Sequence, residues 1–178
     1  MSRLRTIKPE DATGPLAEVF SAIRKAVGKV PNTYAVIGTQ SHDALGAALA
    51  FDAAVGRGTL AKADIEIVKL VVSEFSGCDY CIAVHTFVGK ANGLAGEAMK
   101  AARAGASTGD AKRDALVAYV RALVGTRGTV PAETVEAVRR AGYTDRQLIE
   151  INLAIASITF TNLVNRVNDT PLDFPKVD

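Results

Sequence analysis

The chain has 178 residues, of which 48% are hydrophobic and 22% charged, with a formal net charge of +2. This composition is that of an ordinary globular protein, and the length fits one domain over residues 1–178. It excludes a disordered chain and a disulfide scaffold, and the interspersed charges do not indicate binding to a nucleic acid or an anionic membrane.

The predicted elements are helices. Alanine, the best helix former, occurs 30 times, whereas Trp is absent and aromatic residues make up 6%. Apolar residues recur every three or four positions over residues 13–27, 41–55 and 111–124, which predicts amphipathic helices. Residues 62–75 and 147–167 are apolar nearly all round, which is typical of central, buried helices. We therefore expect an all-α bundle with two central buried helices.

The last long helix is predicted to begin at Thr144, because Thr144 and Gln147 have the spacing of a capping box. Its nearly uncharged stretch, residues 151–164, is shorter than the ~20 residues that span a bilayer. The first residues, MSRLRTIKPED, lack the apolar core of a signal peptide. We therefore expect a soluble, cytoplasmic protein without a membrane segment.

The two cysteines of the chain form one motif, Cys78-Asp79-Tyr80-Cys81, and His85 follows four residues later. On a helix that begins after Gly77, Cys78, Cys81 and His85 share one face. The helix dipole favours a thiolate at Cys78 in the first turn, and His85 can exchange a proton with Cys81. A thiolate, a second thiol and a nearby base together predict a redox-active dithiol.

A carboxylate partner for His85 is expected on the preceding helix. Residues 62–75 and 79–92 are joined by a tight turn, so both Glu66 and His85 should lie ~12–16 Å from that turn on antiparallel helices. An unpaired carboxylate in so apolar a helix would be costly. Glu66 is therefore the preferred partner of His85, and Glu74, nearer the cysteines, is the competitor.

The pattern Glu66-x11-Cys78-x2-Cys81-x3-His85, followed by Asn92-Gly93-Leu94, resembles the carboxymuconolactone decarboxylase / AhpD-like family. Within it, the chain is most similar to the AhpD-like alkylhydroperoxidases and peroxidase-related members. The close resemblance covers about residues 40–105. It implies an all-helical homo-oligomer that reduces hydroperoxides without a metal, flavin or haem, with a lipoyl or thioredoxin-like dithiol as reductant.

The resemblance also implies roles for the site residues. Cys81 attacks the peroxide, Cys78 resolves the product, and His85 relays protons with support from Glu66. The best-known pattern of the family has a second His just before the second Cys, and this chain has Tyr80 there. Tyr80 could donate a hydrogen bond to a peroxide oxygen or serve equally well in packing. The helix dipole makes Cys78 the more acidic thiol, which leaves the identity of the attacking cysteine open.

Four other interpretations remain open. The cysteines could be small buried core residues, or Cys78, Cys81 and His85 could bind zinc with Glu66 or water as the fourth ligand. The chain could be a decarboxylase-like enzyme that uses His85 and Glu66 as acid and base and does not need its thiols. It could also be a redox sensor whose disulfide changes its oligomeric state.

Overall fold

A computed structural model describes residues 2–177 of the chain, and the regular structure in that range is helical. After a 3-10 turn at Pro9–Asp11 come nine helices: α1 (Gly14–Val27), α2 (Asn32–Gln40), α3 (His42–Gly56), α4 (Lys62–Ser76), α5 (Asp79–Ala91), α6 (Gly96–Ala104), α7 (Ala111–Gly125), α8 (Ala132–Arg140) and α9 (Asp145–Asn168). No strand is present between residues 2 and 177, and the predicted all-α class is confirmed.

Helix α4 lies at the centre of the bundle and contacts α5, α6, α7 and α9. Every residue from Asp64 to Ser73 is buried, and Ile67 and Leu70 have no exposed surface. Apolar side chains all around a helix leave it no face to turn to water. The helix therefore serves as the scaffold on which the residues around the cysteines are arranged.

Helix α9 is the other long helix and packs against α3 and α4. The predicted capping box is present: the Thr144 hydroxyl accepts from the backbone N–H of Gln147, whose side chain bonds the backbone of Thr144. The helix is not covered all round, because Ile149, Leu163 and Val167 are each about 60% exposed or more. One of its faces therefore presents apolar side chains at the surface of the chain.

By length and composition alone, α9 could cross a membrane, because it has 24 residues and is largely apolar. In this structure, 33% of its most apolar 18-residue segment is buried in the protein. The uncharged stretch noted in the sequence is thus part of a longer helix. Core helices of soluble proteins meet the same criterion. Its buried Asn162, Asn165 and Asn168 bind polar groups of other segments, as expected of a helix packed inside a protein.

The helix predicted over residues 41–55 is α3, but a separate helix, α2, precedes it. Ser41 divides the two, because its extended backbone ends α2 and its hydroxyl accepts a hydrogen bond from the N–H of Ala44. Gly38 in α2 permits close packing: a Cβ there would lie 2.8 Å from Leu16 Cδ1 and 2.9 Å from Phe20 Cε1. This contact brings α1 against α2, and Thr33 at the start of α2 bonds Tyr80 and Asn165.

Candidate active site

Cys78 is the residue that begins α5. Helix α4 ends at Gly77, which has φ of 59° and where a Cβ would lie 2.5 Å from Arg166 Nη1, so glycine suits both the turn and the close contact. Cys78 then caps α5: its Sγ accepts from the backbone N–H of Cys81 at 3.3 Å. The cap sets the two cysteines one helical turn apart at the positive end of the helix.

The two thiols are free and buried, and each alters the pKa of the other. The hydrogen bond from the Cys81 thiol, helped by the Cys81 backbone N–H and by Arg166, lowers the pKa of Cys78 although burial opposes it. The same interaction with Cys78, together with burial, raises the pKa of Cys81. The pair therefore loses its first proton readily, with the charge at Cys78, and its second with difficulty.

This asymmetry predicts the pH dependence of thiol labelling. With its lowered pKa, Cys78 should become a thiolate as pH rises before Cys81 does, so iodoacetamide should label Cys78 at lower pH than Cys81. Site-resolved mass spectrometry after short pulses between about pH 5 and pH 10 measures both profiles.

The control for this prediction is Cys78→Ser. Because Cys78 is the largest cause of the raised pKa of Cys81, the labelling profile of Cys81 should move to lower pH in that variant. Labelling of Cys81 ahead of Cys78 in the unmodified protein would contradict the assignment.

Glu66 and His85 form a buried pair across α4 and α5. His85 Nδ1 lies 2.7 Å from Glu66 Oε2, and the two side chains are 12% and 8% exposed. The competitor Glu74 bonds Arg103 Nε at 2.7 Å instead. The carboxylate fixes the orientation of the imidazole and favours a proton on Nδ1, which leaves Nε2 as the nitrogen available for acid–base chemistry.

His85 and Cys81 line one cavity of about 80 Å³, which has room for several water molecules. Its walls come from α2, α3, α4, α5 and α9 and include Thr33, Tyr34, Asp52, Lys69, Tyr80, Val84, Ser157, Thr161 and Asn165. Cys78 lines a different cavity, of about 520 Å³, with Arg3, Arg166 and residues 169–172. The two cysteines therefore line different cavities, which have Tyr80 and Asn165 in common.

A buried ion pair at the wall of the Cys81 cavity is a feature that the sequence analysis missed. Lys69 Nζ lies 2.9 Å from Asp52 Oδ1, and the Lys69 side chain is 11% exposed. Ser157 and Tyr34 also donate to the Asp52 carboxylate, each at 2.9 Å. Burial alone would raise the pKa of Asp52, but Lys69, Ser157 and Tyr34 outweigh it and lower that pKa. The carboxylate is therefore ionised beside Lys69.

Asn165 of α9 contacts Cys81 directly. Its Nδ2 donates to Cys81 Sγ at 3.3 Å, and its Oδ1 accepts from the Thr33 hydroxyl at 2.8 Å. In the sequence, the signal for a role of Asn165 at the site is a polar side chain within an apolar helix, since a buried polar group needs a partner. Asn165 provides a hydrogen bond that favours negative charge on Cys81.

The hydroxyl of Tyr80 donates to Asp173 Oδ1 at 2.7 Å and accepts from the backbone N–H of Thr33 at 3.3 Å. Burial, followed by the contact with Asp173, raises the pKa of Tyr80, so the phenol stays protonated. In this structure the Tyr80 proton is thus directed to the C-terminal segment, and the role of Tyr80 as a donor to peroxide stays a prediction. Phe174 packs edge-on against the ring, with centroids 6.1 Å apart.

The C-terminal segment is held over the site by several further contacts. Lys29 pairs with Asp173 Oδ2 at 3.1 Å and stacks over the Phe174 ring at 3.7 Å. Asn32 donates to the carbonyl of Pro171 at 3.0 Å. These contacts tie residues 171–174 to the loop before α2 and to Tyr80.

The described residues around the cysteines do not form a metal-binding site. Between residues 2 and 177 there is no group of three or more His, Cys, Asp or Glu side chains placed to hold a metal ion. His85 Nδ1 is engaged by Glu66, and Asn165 contacts the Cys81 sulfur. Cys81, His85, Lys69 and Asp52 instead line one small cavity, and Cys78 contacts Cys81 from outside it.

Residues 43–122 match the model of the carboxymuconolactone decarboxylase family. The matched segment makes up just under half of the chain. The matched range contains α4, α5 and both cysteines. No curated protein matches the chain at a significant level.

Solved structures share the fold at low sequence identity. A peroxidase-related protein with an AhpD core from Ralstonia eutropha JMP134 has a TM-score of 0.82 at 18% identity, over 97% of this chain and 92% of that chain. An AhpD-type protein of unknown function from Agrobacterium tumefaciens has a TM-score of 0.71 at 21% identity, over 78% and 96%. The chain thus shares the fold of these AhpD-like proteins.

A third neighbour is an enzyme of different activity. The debrominase Bmp8, solved as a cysteine-to-alanine variant with 2,3,4-tribromopyrrole, has a TM-score of 0.77 at 18% identity, over 97% of this chain and 92% of that chain. These likenesses show a shared fold, and the reaction itself has to be argued from this site.

Proposed function

We propose that the protein is a thiol-dependent peroxidase that reduces hydroperoxides with Cys78 and Cys81. The observation that carries this proposal is the pair of free thiols at the start of α5, one of which lines a cavity with the Glu66–His85 pair. A thiolate of lowered pKa, a second thiol in contact with it and a base are the groups that a two-cysteine peroxidase needs.

Cys81 is the attacking residue in this proposal because it, and not Cys78, lines the cavity with His85. The lowered pKa of Cys78 is compatible with that role. A proton that passes from Cys81 to Cys78 across their hydrogen bond moves the negative charge to Cys81, where Asn165 donates to the sulfur. His85, one turn along α5, can take the same proton through water.

The chemistry has two steps within the protein. The Cys81 thiolate attacks the peroxide oxygen that carries hydrogen; an S–O bond forms, the O–O bond breaks, and the alkoxide takes a proton and leaves as the alcohol. Cys81 is then a sulfenic acid. Cys78 attacks that sulfur, a disulfide forms and water leaves. A lipoyl or thioredoxin-like dithiol restores both thiols by exchange.

The proposal is tested with the reduced protein and one equivalent of cumene hydroperoxide. We expect rapid loss of both thiols and a Cys78–Cys81 disulfide by mass spectrometry, which dihydrolipoamide reverses. Unreactive thiols would overturn the proposal. Turnover of a lactone or β-keto acid by Cys78→Ser/Cys81→Ser would favour the acid–base decarboxylase, and a reversible change of size without turnover would favour the redox sensor.

A second candidate is reductive dehalogenation, because the debrominase Bmp8 shares the fold and was captured with its bromopyrrole in a cysteine variant. Here the Cys81 thiolate would attack a bromine instead of an oxygen; an S–Br bond would form, the C–Br bond would break and the ring carbon would take a proton. Cys78 would then attack the Cys81 sulfur, and bromide would leave as the disulfide forms. Release of bromide from tribromopyrrole by the reduced protein, without peroxide reduction, would favour this reaction.

We further propose that copies of the chain associate in the cytoplasm through an apolar face of α3 and α9. This face surrounds a cavity of about 420 Å³ lined by Ala44, Ala47, Ala48, Phe51, Ala156, Ser157 and Phe160. Phe51 and Phe160 are about 40% exposed, and a face of this kind is suited to a second apolar surface.

We expect Phe160→Glu to dissociate the oligomer, because it would bury a charge in this face. Sedimentation velocity at matched concentration measures the change. Val27→Glu, at an exposed apolar position on α1, is the control and should sediment like the unmodified chain. An unmodified chain that sediments as a monomer would contradict the proposal.

A further inference from the structure

The hydrogen-bonding capacity of the Cys81 cavity is largely used by the protein itself. The hydroxyl protons of its neutral side chains go to protein atoms; the residues are Thr33, Tyr34, Tyr80, Ser157 and Thr161. Burial and the contact with Asp52 raise the pKa of Tyr34, so its proton stays in place. These groups hold the walls of the cavity together and have no proton free for a ligand.

Lys69 is different. An ammonium group carries three N–H donors, and within the described part of the chain Lys69 uses one of them, toward Asp52 Oδ1. Its side chain is 11% exposed and lines the Cys81 cavity, so the ammonium group is largely shielded from open water. A buried cation with unused donors, beside a nucleophile, is suited to receive a group that becomes negative.

The position of Lys69 follows from the helix that carries Glu66. The two residues are one turn apart on α4 and therefore lie on the same face. Glu66 holds His85 and Asp52 holds Lys69, so each basic group has its own carboxylate and both line the cavity with Cys81. The cavity is thus lined by Cys81 and by two basic side chains, each oriented by its own carboxylate.

We infer that Lys69 is a catalytic residue that stabilises the oxygen leaving the peroxide; this inference rests on the proposed peroxidase function. As the S–O bond forms and the O–O bond breaks, the departing oxygen gains negative charge, and Lys69 donates a hydrogen bond to it. The proton taken from the Cys81 thiol returns through His85, and the oxygen leaves as the alcohol. Asp52 is a positioning residue for Lys69.

This role makes a prediction about leaving groups. The tert-butoxide that leaves tert-butyl hydroperoxide is a strong base that needs stabilisation, whereas the acetate that leaves peracetic acid is a weak base. In Lys69→Met, we expect oxidation of Cys81 to slow by about 100-fold with tert-butyl hydroperoxide and by less than about 10-fold with peracetic acid. Single-turnover thiol oxidation, followed by stopped flow, gives both rates.

The readout is the ratio of the rates with the two peroxides, measured on one protein preparation. Any unfolded protein lowers the active concentration equally in both measurements and does not change the ratio. Lys69→Gln, which retains an uncharged donor, is the second variant and should give an intermediate ratio. Arg113→Met is the matched control, because Arg113 Nε also pairs with a buried aspartate, Asp64, at 3.2 Å, and Tyr143 donates to the same carboxylate. That variant should keep the ratio of the unmodified protein.

Two results would overturn the inference while leaving the peroxidase proposal intact. Equal slowing of Lys69→Met with both peroxides would assign Lys69 a structural role, and unchanged rates would remove it from the reaction. If the unmodified protein does not lose thiols to either peroxide, the peroxidase proposal itself fails, and the inference fails with it.

Discussion

Cys81→Ser is expected to lose peroxide-dependent oxidation by at least about 1,000-fold, as is typical when a nucleophile is removed. The remaining thiol, Cys78, has a lowered pKa, but it lies outside the cavity that holds His85 and Lys69. Without access to His85 and Lys69, the Cys78 thiol should react slowly with peroxide despite its lowered pKa. Thiol counting after one equivalent of cumene hydroperoxide measures the loss.

Cys78→Ser is the matched variant. It retains Cys81 in its cavity, so it should consume one equivalent of peroxide and stop at the sulfenic acid, which dimedone traps. The opposite pattern, with Cys81→Ser oxidised to a sulfenic acid and Cys78→Ser inert, would show that Cys78 is the residue attacked first. Peroxide turnover by the double variant at the rate of the unmodified protein would exclude dithiol chemistry altogether.

Asp52→Ala is expected to lower the free energy of unfolding by about 3 kcal/mol, because it leaves the ammonium of Lys69 buried without its partner. The hydrogen bonds from Tyr34 and Ser157 are lost with it. Urea unfolding followed by circular dichroism measures the change. Asp43→Ala, at a fully exposed position on the same helix, is the control and should cost less than about 1 kcal/mol.

The effect of Asp52 also depends on pH. The pKa of this carboxyl is lowered in the folded protein from its ordinary value of 3.8. The stability that this pKa shift contributes is fully present at pH values above the ordinary pKa of 3.8. It is lost as the pH falls through the lower pKa that Asp52 has in the folded protein. The difference between Asp52→Ala and the unmodified protein should therefore be constant at neutral pH and decrease in acid. A difference that grows in acid would contradict this interpretation.

The sequence was sufficient to predict the parts of the site that lie near one another along the chain. Cys78, Cys81 and His85 share one helix, and the contact of His85 with Glu66 follows from counting the helical rise on both sides of one turn. The class of the fold followed from apolar spacing and alanine content for a similar reason. Local periodicity and short connections determine both.

The sequence was not sufficient where the site is assembled from distant segments. Asp52 falls within an apolar stripe of α3, and nothing local indicates that Lys69, 17 residues later on another helix, is its partner. The contact of Tyr80 with Asp173 joins residues 93 positions apart, and residues 170–177 have no helical period. Such contacts depend on tertiary packing, which the spacing of apolar residues does not specify.

The position of the two cysteines in the walls of different cavities has a kinetic consequence. Cys81 is reached through the small cavity of His85, whereas Cys78 borders the larger one formed with Arg166 and residues 169–172. A small oxidant and a bulky dithiol then have no common binding site for which to compete. In steady-state assays of the proposed reaction, a high concentration of peroxide should therefore not act as a competitive inhibitor against the reductant.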